Sequence, residues 1–326
     1  MLLWELDQPL RDLTAITGFE TAAEIYRKSF AATRALYETT RSLQLDANMH
    51  PRCSLYLAGE GMGANELLDE KRLRSRAGLP SVYLDHRILA QQFGIIREAA
   101  ILSKGAAEAD PILLSRGFLQ SAIQLGARVY DGEAQEFHEM GREAVVGLDS
   151  RSVVSGSFVV LATGYSLPSL LKLENHRITS TWAIATAPQS RGVWPDGVLI
   201  WEAADNYSYA RATVDNRIII GGEDAEIVEP HQRDALIPVK SATLARKLVT
   251  LLPRAEPTVD FQWAGTFGKT IDSLPMIGRS PGCRRMLGAY GYGGNGITFS
   301  FLAAHIVMAI IEDRYQAWFD YFAFDR

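Results

Sequence analysis

The sequence predicts a mixed α/β chain (α+β in make-up) built as two domains whose segments interleave. Three observations carry this. SFVVLATG (157–164) is a continuous apolar run ending in a small-residue turn, the pattern of a strand buried on both faces of a parallel sheet. From 176 to 265 the chain changes to short β-rich runs separated by Gly, Pro and Asp or Asn, which reads as an antiparallel sheet. LGAYGYGGNGITFSFLAAHIVMAII (287–311) then returns to strand, glycine turn and apolar helix. α/β character flanks a β-rich block, so the chain crosses between two domains and back.

The elements follow in order. Ala22, Ile25, Tyr26, Phe30, Ala31, Leu36 and Tyr37 recur at helical spacing and predict a helix over 20–45. CSLYLAG (53–59) reads as a strand. NELLDEKRLRSRAGL (65–79) reads as a charged helix closed by Gly78 and Pro80. A short helix fits 85–93. Asp110 is a candidate N-cap with Pro111 at the first helical position, for a helix ending at Gly126. ARVYDG (127–132) follows as strand and turn. ITSTWAIATAP, GVLIWEA, YSYARATV and RIIIGGE supply the antiparallel strands, and RRMLGAY a last strand before the glycines.

The bulk numbers bound the function. With 326 residues and 47% apolar content the chain can bury a full core. A net charge of -5 and the absence of a dense Lys/Arg block disfavour a nucleic-acid partner. KRLRSR (71–76) reads as a solvated helix face. Two distant cysteines without CxxC, and histidines without HxxxH or HExxH, indicate no metal site. MLLWELDQPL has no basic n-region, and the apolar run Ile297–Ile311 is short of the ~20 residues of a bilayer span. A cytoplasmic protein with no membrane span is expected.

Two glycine motifs compete. GEGMGA (59–64) fits G-x-G-x-x-G/A between a strand and a helix, and Asp85 lies near the offset of a ribose-binding acid. That is the reading of an NAD-dependent enzyme using Gly59–Ala64. Against it, the following helix is very polar, the preceding strand alternates, and Pro80 shortens the next strand. The second motif places five glycines between Gly288 and Gly296. Glycine allows close backbone approach, and a helix starting there aims free N–H groups and its positive dipole end at an anion or an electron-rich ring edge. The alternative is a turn that only packs against a neighbouring helix.

SFVVLATG, IDSLPMIG (271–278) and GYGGNGITFSFLAAHI (291–306), in this order, resemble the C-terminal part of the FAD-dependent D-amino-acid oxidase (DAO) superfamily. Within it the chain is nearest to amine oxidoreductases of the gamma-glutamylputrescine oxidase and glycine oxidase kind. DPILLSRGFLQSAIQLGARVYDG and YSYARATVDNRIIIGGED resemble the family's helix and strand before its FAD-adenine contact and its substrate-domain hairpin. The resemblance implies FAD as cofactor. Ala162, Thr163 and Gly164 would pass close to it, and Gly291, Gly293, Gly294, Asn295, Gly296, Ile297 and Thr298 would face the flavin ring edge. It divides the chain into a substrate domain (1–105 and 170–270) and an FAD-binding Rossmann-like domain (106–169 and 271–326). Family members begin with a βαβ unit carrying G-x-G-x-x-G, and Met1 aligns downstream of it. The N-terminal βαβ unit is therefore expected to be missing, through a late start, a fragment or a decayed gene. The implied activity is oxidation of the C–N bond of a small amine or amino acid to an imine, with oxygen, a quinone or a protein as electron acceptor. The alternative is a truncated, non-catalytic remnant of such a flavoenzyme.

Candidate substrate residues follow from strand alternation. Tyr207, Tyr209 and Arg211 share one face, and Arg211 can fork onto a carboxylate, or be a surface arginine in a hairpin. Tyr56 either lines the pocket or packs. Lys269, just before Asp272, is a candidate for promoting reaction with oxygen near the flavin. Asp272 and Pro275 resemble the family's turn toward the flavin, with Asp272 ordering backbone. Trp182 and Trp263 are expected in the core, and no strong general base is assigned.

Overall fold

The computed structural model describes residues 1–326. An extended segment leads into α1 (Leu10–Thr17) and α2 (Phe19–Ser42), separated by Gly18 at φ 80°. α2 buries Ala22, Ile25, Tyr26, Ser29, Ala32, Thr33 and Leu36 in a 3.6-residue stripe; of the predicted positions Phe30 and Tyr37 are only half-buried and Ala31 is exposed. β1 (His50–Leu57), α3 (Ala64–Arg76), β2 (Ser81–Asp85), α4 (His86–Phe93) and β3 (Ala99–Glu108) follow. Then come α5 (Pro111–Gln124), an exposed meander of β4 (Ala134–Met140), β5 (Glu143–Leu148) and β6 (Val153–Gly156), and β7 (Val159–Leu161). β8 (His176–Thr186), β9 (Leu199–Glu202), β10 (Ser208–Ala212), β11 (Ile218–Ala225), α6 (Pro230–Ala235), α7 (Ile237–Leu251) and β12 (Val259–Thr270) form the β-rich block. β13 (Met276–Arg279), β14 (Met286–Tyr290) and α8 (Gly296–Ile311) close the fold.

The main sheet has the order β12-β8-β11-β10-β9-β1-β3-β2. Its pairs are antiparallel except β1 beside β9, which run parallel and join two antiparallel groups. One face is covered by α7, whose Leu244, Leu248 and Leu251 pack among Trp182, Ile184, Ile200, Ile218 and Ile220. The helix falls inside the block read as β-rich, and its i, i+4, i+7 leucines are the signal that marks it. The opposite face carries Thr181, Trp201, Tyr209, Arg211 and Ile219, the set that lines the site described below.

The second sheet, β13-β14-β7, pairs β14 with β7 in parallel as expected of a parallel sheet, but β7 is its edge strand with Val160 exposed, so the 157–164 run is not buried on both faces. α8 packs Phe299, Leu302 and Ile306 into a core shared with Leu10, Leu13, Ile25 and Tyr26 of α1 and α2. Residues 10–42, grouped by sequence with the large sheet, thus rest on α8 as well. The stretch Gly293–Ile311 has the length and mean hydropathy (1.7) of a membrane span. Its helix here is amphipathic in use: the faces toward α2 and β13 are buried and Met308 is exposed.

Three local expectations are corrected, and the disfavoured reading of Gly59–Ala64 is excluded. The Gly59–Ala64 turn is not a dinucleotide motif: antiparallel β3 lies between β1 and β2, so no parallel βαβ unit forms around it. Its glycines serve close packing, a Cβ on Gly59 lying 2.6 Å from the Ala203 carbonyl oxygen, and Asp85 caps α4 through the Arg87 and Ile88 N–H groups. Ala127–Gly132 is irregular, because no neighbouring strand ladders with it, and Val129 and Tyr130 are exposed. Trp263 is exposed on β12, whereas Trp182 is fully buried. The charged run 71–76 is not all solvated: Arg74 is fully buried.

Asp110 caps α5 as the sequence predicts, accepting from Ile112 N (2.9 Å) and Leu113 N (3.0 Å). Asp110→Ala should lower unfolding free energy by about 1 kcal/mol in urea titration, the usual loss for an N-cap.

Candidate active site

The site is organised by the extended first residues. Leu2 exchanges backbone hydrogen bonds with Ala107 (2.8 and 2.9 Å). The Thr298 hydroxyl donates to the Leu3 carbonyl (2.9 Å), the Asn295 side-chain amide to the Glu5 carbonyl (2.8 Å), and the Gly294 N–H to the Asp7 carboxylate (2.7 Å). The segment straps the glycine turn and the start of α8 to the large sheet.

Behind the strap lies a buried ionic network. Arg74 donates from Nε to Glu70 Oε1 (2.7 Å) and lies 3.4 Å from Glu5 Oε1, with the Ser103 hydroxyl at 3.3 Å. Ser54 donates to the same Glu5 oxygen. Glu70 also accepts the Leu10 and Arg11 N–H groups, fixing the start of α1. The guanidinium sits 5.6 Å from the ring centres of both Trp4 and Tyr56. Tyr56 stacks in turn on Trp201, with ring centroids 3.9 Å apart.

Two cavities meet at Phe267 and Gly293. The first, about 560 Å³, is lined by Ala162, Gly164, Tyr290, Gly291 and the outer face of α8. The second, about 330 Å³, lies between the glycine turn and the large sheet and is lined by Asp7, Thr181, Trp201, Tyr207, Tyr209 and Arg211. A smaller chamber of about 190 Å³ adjoins the second and shares Asp7, Trp201 and Tyr207 with it.

The predicted cofactor residues divide. Ala162, Gly164, Gly291, Gly293 and Gly296 line the first cavity, and Gly293, Gly294 and Asn295 the second. Thr163 instead shares a hydrogen bond with the Tyr290 hydroxyl (2.9 Å). The side chains of Ile297 and Thr298 turn away, Ile297 toward Leu2 and Leu36, Thr298 toward Thr33. The Gly294 N–H, expected to face a ring edge, is engaged by Asp7.

Tyr209 and Arg211 face the second cavity together. Tyr209 lies flat over Gly221, where a Cβ would sit 2.3 Å from its hydroxyl oxygen. Arg211 makes one loose ion pair, 3.5 Å to Glu108, which Arg52 already engages at 2.5 Å. Two arginines thus share one carboxylate. Tyr56 lines only the small outer chamber, behind Trp201. Lys269 lies on β12 two residues from the cavity residue Phe267; burial raises the Asp7 and Asp224 carboxyls, and the Lys269 charge offsets part of that rise. Asp272 takes a two-pronged contact from Arg326 (2.8 and 2.9 Å) and the Leu274 N–H, and these hold its carboxyl down against burial, so it orders backbone. Asp7, Glu5 and Trp201 were not foreseen; the signal for the first two is the period-2 pattern of WELD, which places Trp4 and Leu6 on one side and Glu5 and Asp7 on the other.

The residues present fit a flavin edge. Gly291 (φ 72°) and Gly293 (φ 57°) need the left-handed region, and a Cβ on Gly291 would meet Thr270 at 2.6 Å. The turn delivers the chain into the N-terminus of α8 beside a cavity walled by small and apolar residues. The family of FAD dependent oxidoreductases (DAO) matches the chain over residues 10–310. The chain belongs to this family. Its cofactor is FAD, and its mixed α/β fold is that of the DAO enzymes. A probable oxidoreductase, OrdL, of Haemophilus influenzae is 25% identical over 92% of this chain and 73% of its own length. Gamma-glutamylputrescine oxidoreductase of Escherichia coli is 24% identical over 94% and 74%. Glycine oxidase from Geobacillus kaustophilus superimposes with a TM-score of 0.78 at 19% identity, covering 99% of this chain and 84% of that one. L-proline dehydrogenase from P. horikoshii gives the same score at 16% identity, over 92% and 82%.

Proposed function

We propose that this DAO-family oxidoreductase oxidises the C–N bond of a small amine or amino acid to an imine, which water then hydrolyses. The observation that carries the reading is the second cavity. It lies directly against the glycine turn and offers an arginine with spare donors at one part of its wall and carboxylates at another. Bound FAD supplies the acceptor for the electron pair leaving carbon. The chain's own residues hold and orient. Gly293 and the start of α8 bring a backbone N–H and the helix dipole to the cofactor edge, where they favour negative charge, while the Gly294 and Asn295 N–H groups are engaged by Asp7 and the Tyr292 carbonyl. Tyr209 and Arg211 bind the substrate, Arg211 through a carboxylate where one is present. Trp201, backed by Tyr56, forms a rigid apolar wall, and Lys269 sets a positive charge beside the ring site. Oxygen, a quinone or an acceptor protein takes the electrons onward in a cytoplasmic setting.

The relatives named "gamma-glutamylputrescine oxidoreductase" and "glycine oxidase" support an amine or amino-acid substrate. The test is anaerobic bleaching of the FAD-loaded protein by a panel of amines and amino acids. Bound FAD that no member of the panel reduces would remove this reading. A second reading, a remnant or fragment lacking its dinucleotide unit, is favoured by one feature. β7 is an edge strand with Val160 exposed, next to the open, largely apolar first cavity. Visible absorbance after incubation with FAD, for this chain and for one carrying any upstream in-frame βαβ segment, separates the two.

Arg211→Met should raise KM for carboxylate-bearing substrates about ten- to a hundredfold, the value of a charged hydrogen-bond pair, and leave simple amines nearly unchanged. Steady-state kinetics on a matched amine and amino acid checks it; equal effects on both would remove the carboxylate role.

A further inference from the structure

Three residues, Asp7, Trp201 and Tyr207, line both the second cavity and the small outer chamber, and so form the doorway between them. The outer chamber adds Asp12, Glu202 and Asp205 to its wall. Asp12 is held by Arg11 (2.9 Å) and Glu202 by Arg97 (2.6 Å), whereas Asp205 is exposed with no ion-pair partner. Asp7 accepts one hydrogen bond, from Gly294 N–H to Oδ2, leaving its other oxygen free.

The inner side of the doorway is also negative and unsatisfied. Glu5 is 1% exposed and lines the second cavity; its Oε2 has no hydrogen-bond partner. Its network sets two carboxylates, Glu5 and Glu70, against one guanidinium. Trp201 is 7% exposed, and its Nε1 is buried without an acceptor at the doorway itself. Asp224 stands behind Tyr207, with one buried oxygen unpartnered. The positive groups around this cavity are Lys269 of β12, which acts on Asp7, and, farther along, Arg211 of β10 and the Met1 amino group, whose pKa burial and Arg211 bring down to about 6. A buried donor without an acceptor and a buried acceptor without a donor each call for a ligand group or water. Free carboxylates around a narrow mouth attract cations.

We propose that the substrate enters as a cationic amine through this acidic passage and that Asp7 receives its ammonium group and takes the proton that must leave before C–N oxidation. The step balances as an ammonium and a carboxylate giving a neutral amine and a carboxylic acid. It rests on the amine-oxidation reading above and adds to it the charge of the substrate, its route and the group that deprotonates it. An alkylammonium in water holds its proton until about pH 10. Removal from water in the cavity lowers that value, because burial disfavours the charged form. Burial moves Asp7 the other way, to about 6, with Asp224 adding to the rise and the Gly294 N–H and Lys269 opposing it. Asp7 is itself exposed to solvent, which limits this rise. The two partners approach each other in proton affinity, which is what transfer requires.

The test uses the 326-residue chain incubated with FAD and measures binding, not turnover. The probes are 1,4-diaminobutane, butylamine, butanoate and 1-butanol, followed by calorimetry and tryptophan fluorescence between pH 5 and 9. The amines should bind at least about tenfold more tightly than 1-butanol, as a charge-assisted hydrogen bond predicts. Amine affinity should fall as pH drops through 6. Asp7→Asn, which keeps an acceptor for Gly294, should remove both the preference and the pH dependence while leaving butanoate binding unchanged. Asp7→Glu should keep part of each. Asp205→Asn should slow amine association at low salt only. Equal amine affinity in Asp7→Asn and the unsubstituted protein across this range overturns the proposal. Amine binding with the stated dependence but no anaerobic FAD bleaching by any amine would leave the cation site standing and remove the oxidation reading.

Discussion

Arg74→Met should lower the unfolding free energy by about 3–5 kcal/mol, the range for breaking a buried ion pair from one side. Arg74 is fully buried and is the only cation in contact with Glu5 and Glu70. Its removal leaves two buried carboxylates facing each other without a counter-charge. It also takes away the cation stacked between Trp4 and Tyr56, worth about another 1 kcal/mol. Methionine retains much of the apolar stem, so the loss reports the charge. Urea unfolding followed by tryptophan fluorescence reads it directly. Arg74→Met combined with Glu5→Gln and Glu70→Gln should recover part of the loss, because the uncompensated charges go with it. A single-variant loss below about 1 kcal/mol would mean that water or rearrangement satisfies the carboxylates.

Gly293→Val should reduce FAD affinity by at least about tenfold, since a β-branched residue at positive φ carries a strain on the order of 1–3 kcal/mol. Gly293 has φ 57°, and a Cβ there would lie 2.3 Å from Asp7 Oδ2. The turn would have to shift, and both cavities meet on it. Gly192→Ala is the control: Gly192 lines neither cavity, its φ lies outside the left-handed region and a Cβ there meets nothing within 4 Å. A fluorescence titration with FAD compares the two, and equal affinities would take Gly293 out of the cofactor edge.

Much of this was written in the sequence where the signal is local. Asp110 and Pro111 mark the start of α5 because an N-cap and its following proline act within three residues. The β-rich block and the glycine turn before α8 are likewise where the spacing puts them. Tyr209 and Arg211 reach one cavity because alternation on a strand is a purely local rule. Errors arise where partners lie far away. GEGMGA has the local form of a dinucleotide turn, but β3, contributed from residues 99–108, inserts between the two strands the motif needs side by side. Arg74 is hidden in a charged run, and its burial depends on Glu5, distant by 69 residues. Asp7 is marked only by the alternation in WELD, and its place at the doorway is set by the distant Gly294 and Tyr207. Ala127–Gly132 has strand composition without a neighbouring strand, and hydrogen bonding, not propensity, determines the outcome.

The strap over the glycine turn joins positions separated by 287, 290 and 295 residues. Such closures are among the slowest to form in a folding chain, because almost the whole polypeptide must be in place before they are rewarded. They are also few, and one of them ends on an exposed glycine. Leu2, Trp4, Glu5 and Leu6 are anchored in the buried core, so the part that detaches in the native state is the exposed Asp7 end of the strap, held by its contact to the Gly294 amide. Each detachment would release the Gly294 amide and one wall of the second cavity together. Amide exchange at Gly294 and the dissociation rate of FAD should then share a common clock, set by the lifetime of the strap and not by global unfolding.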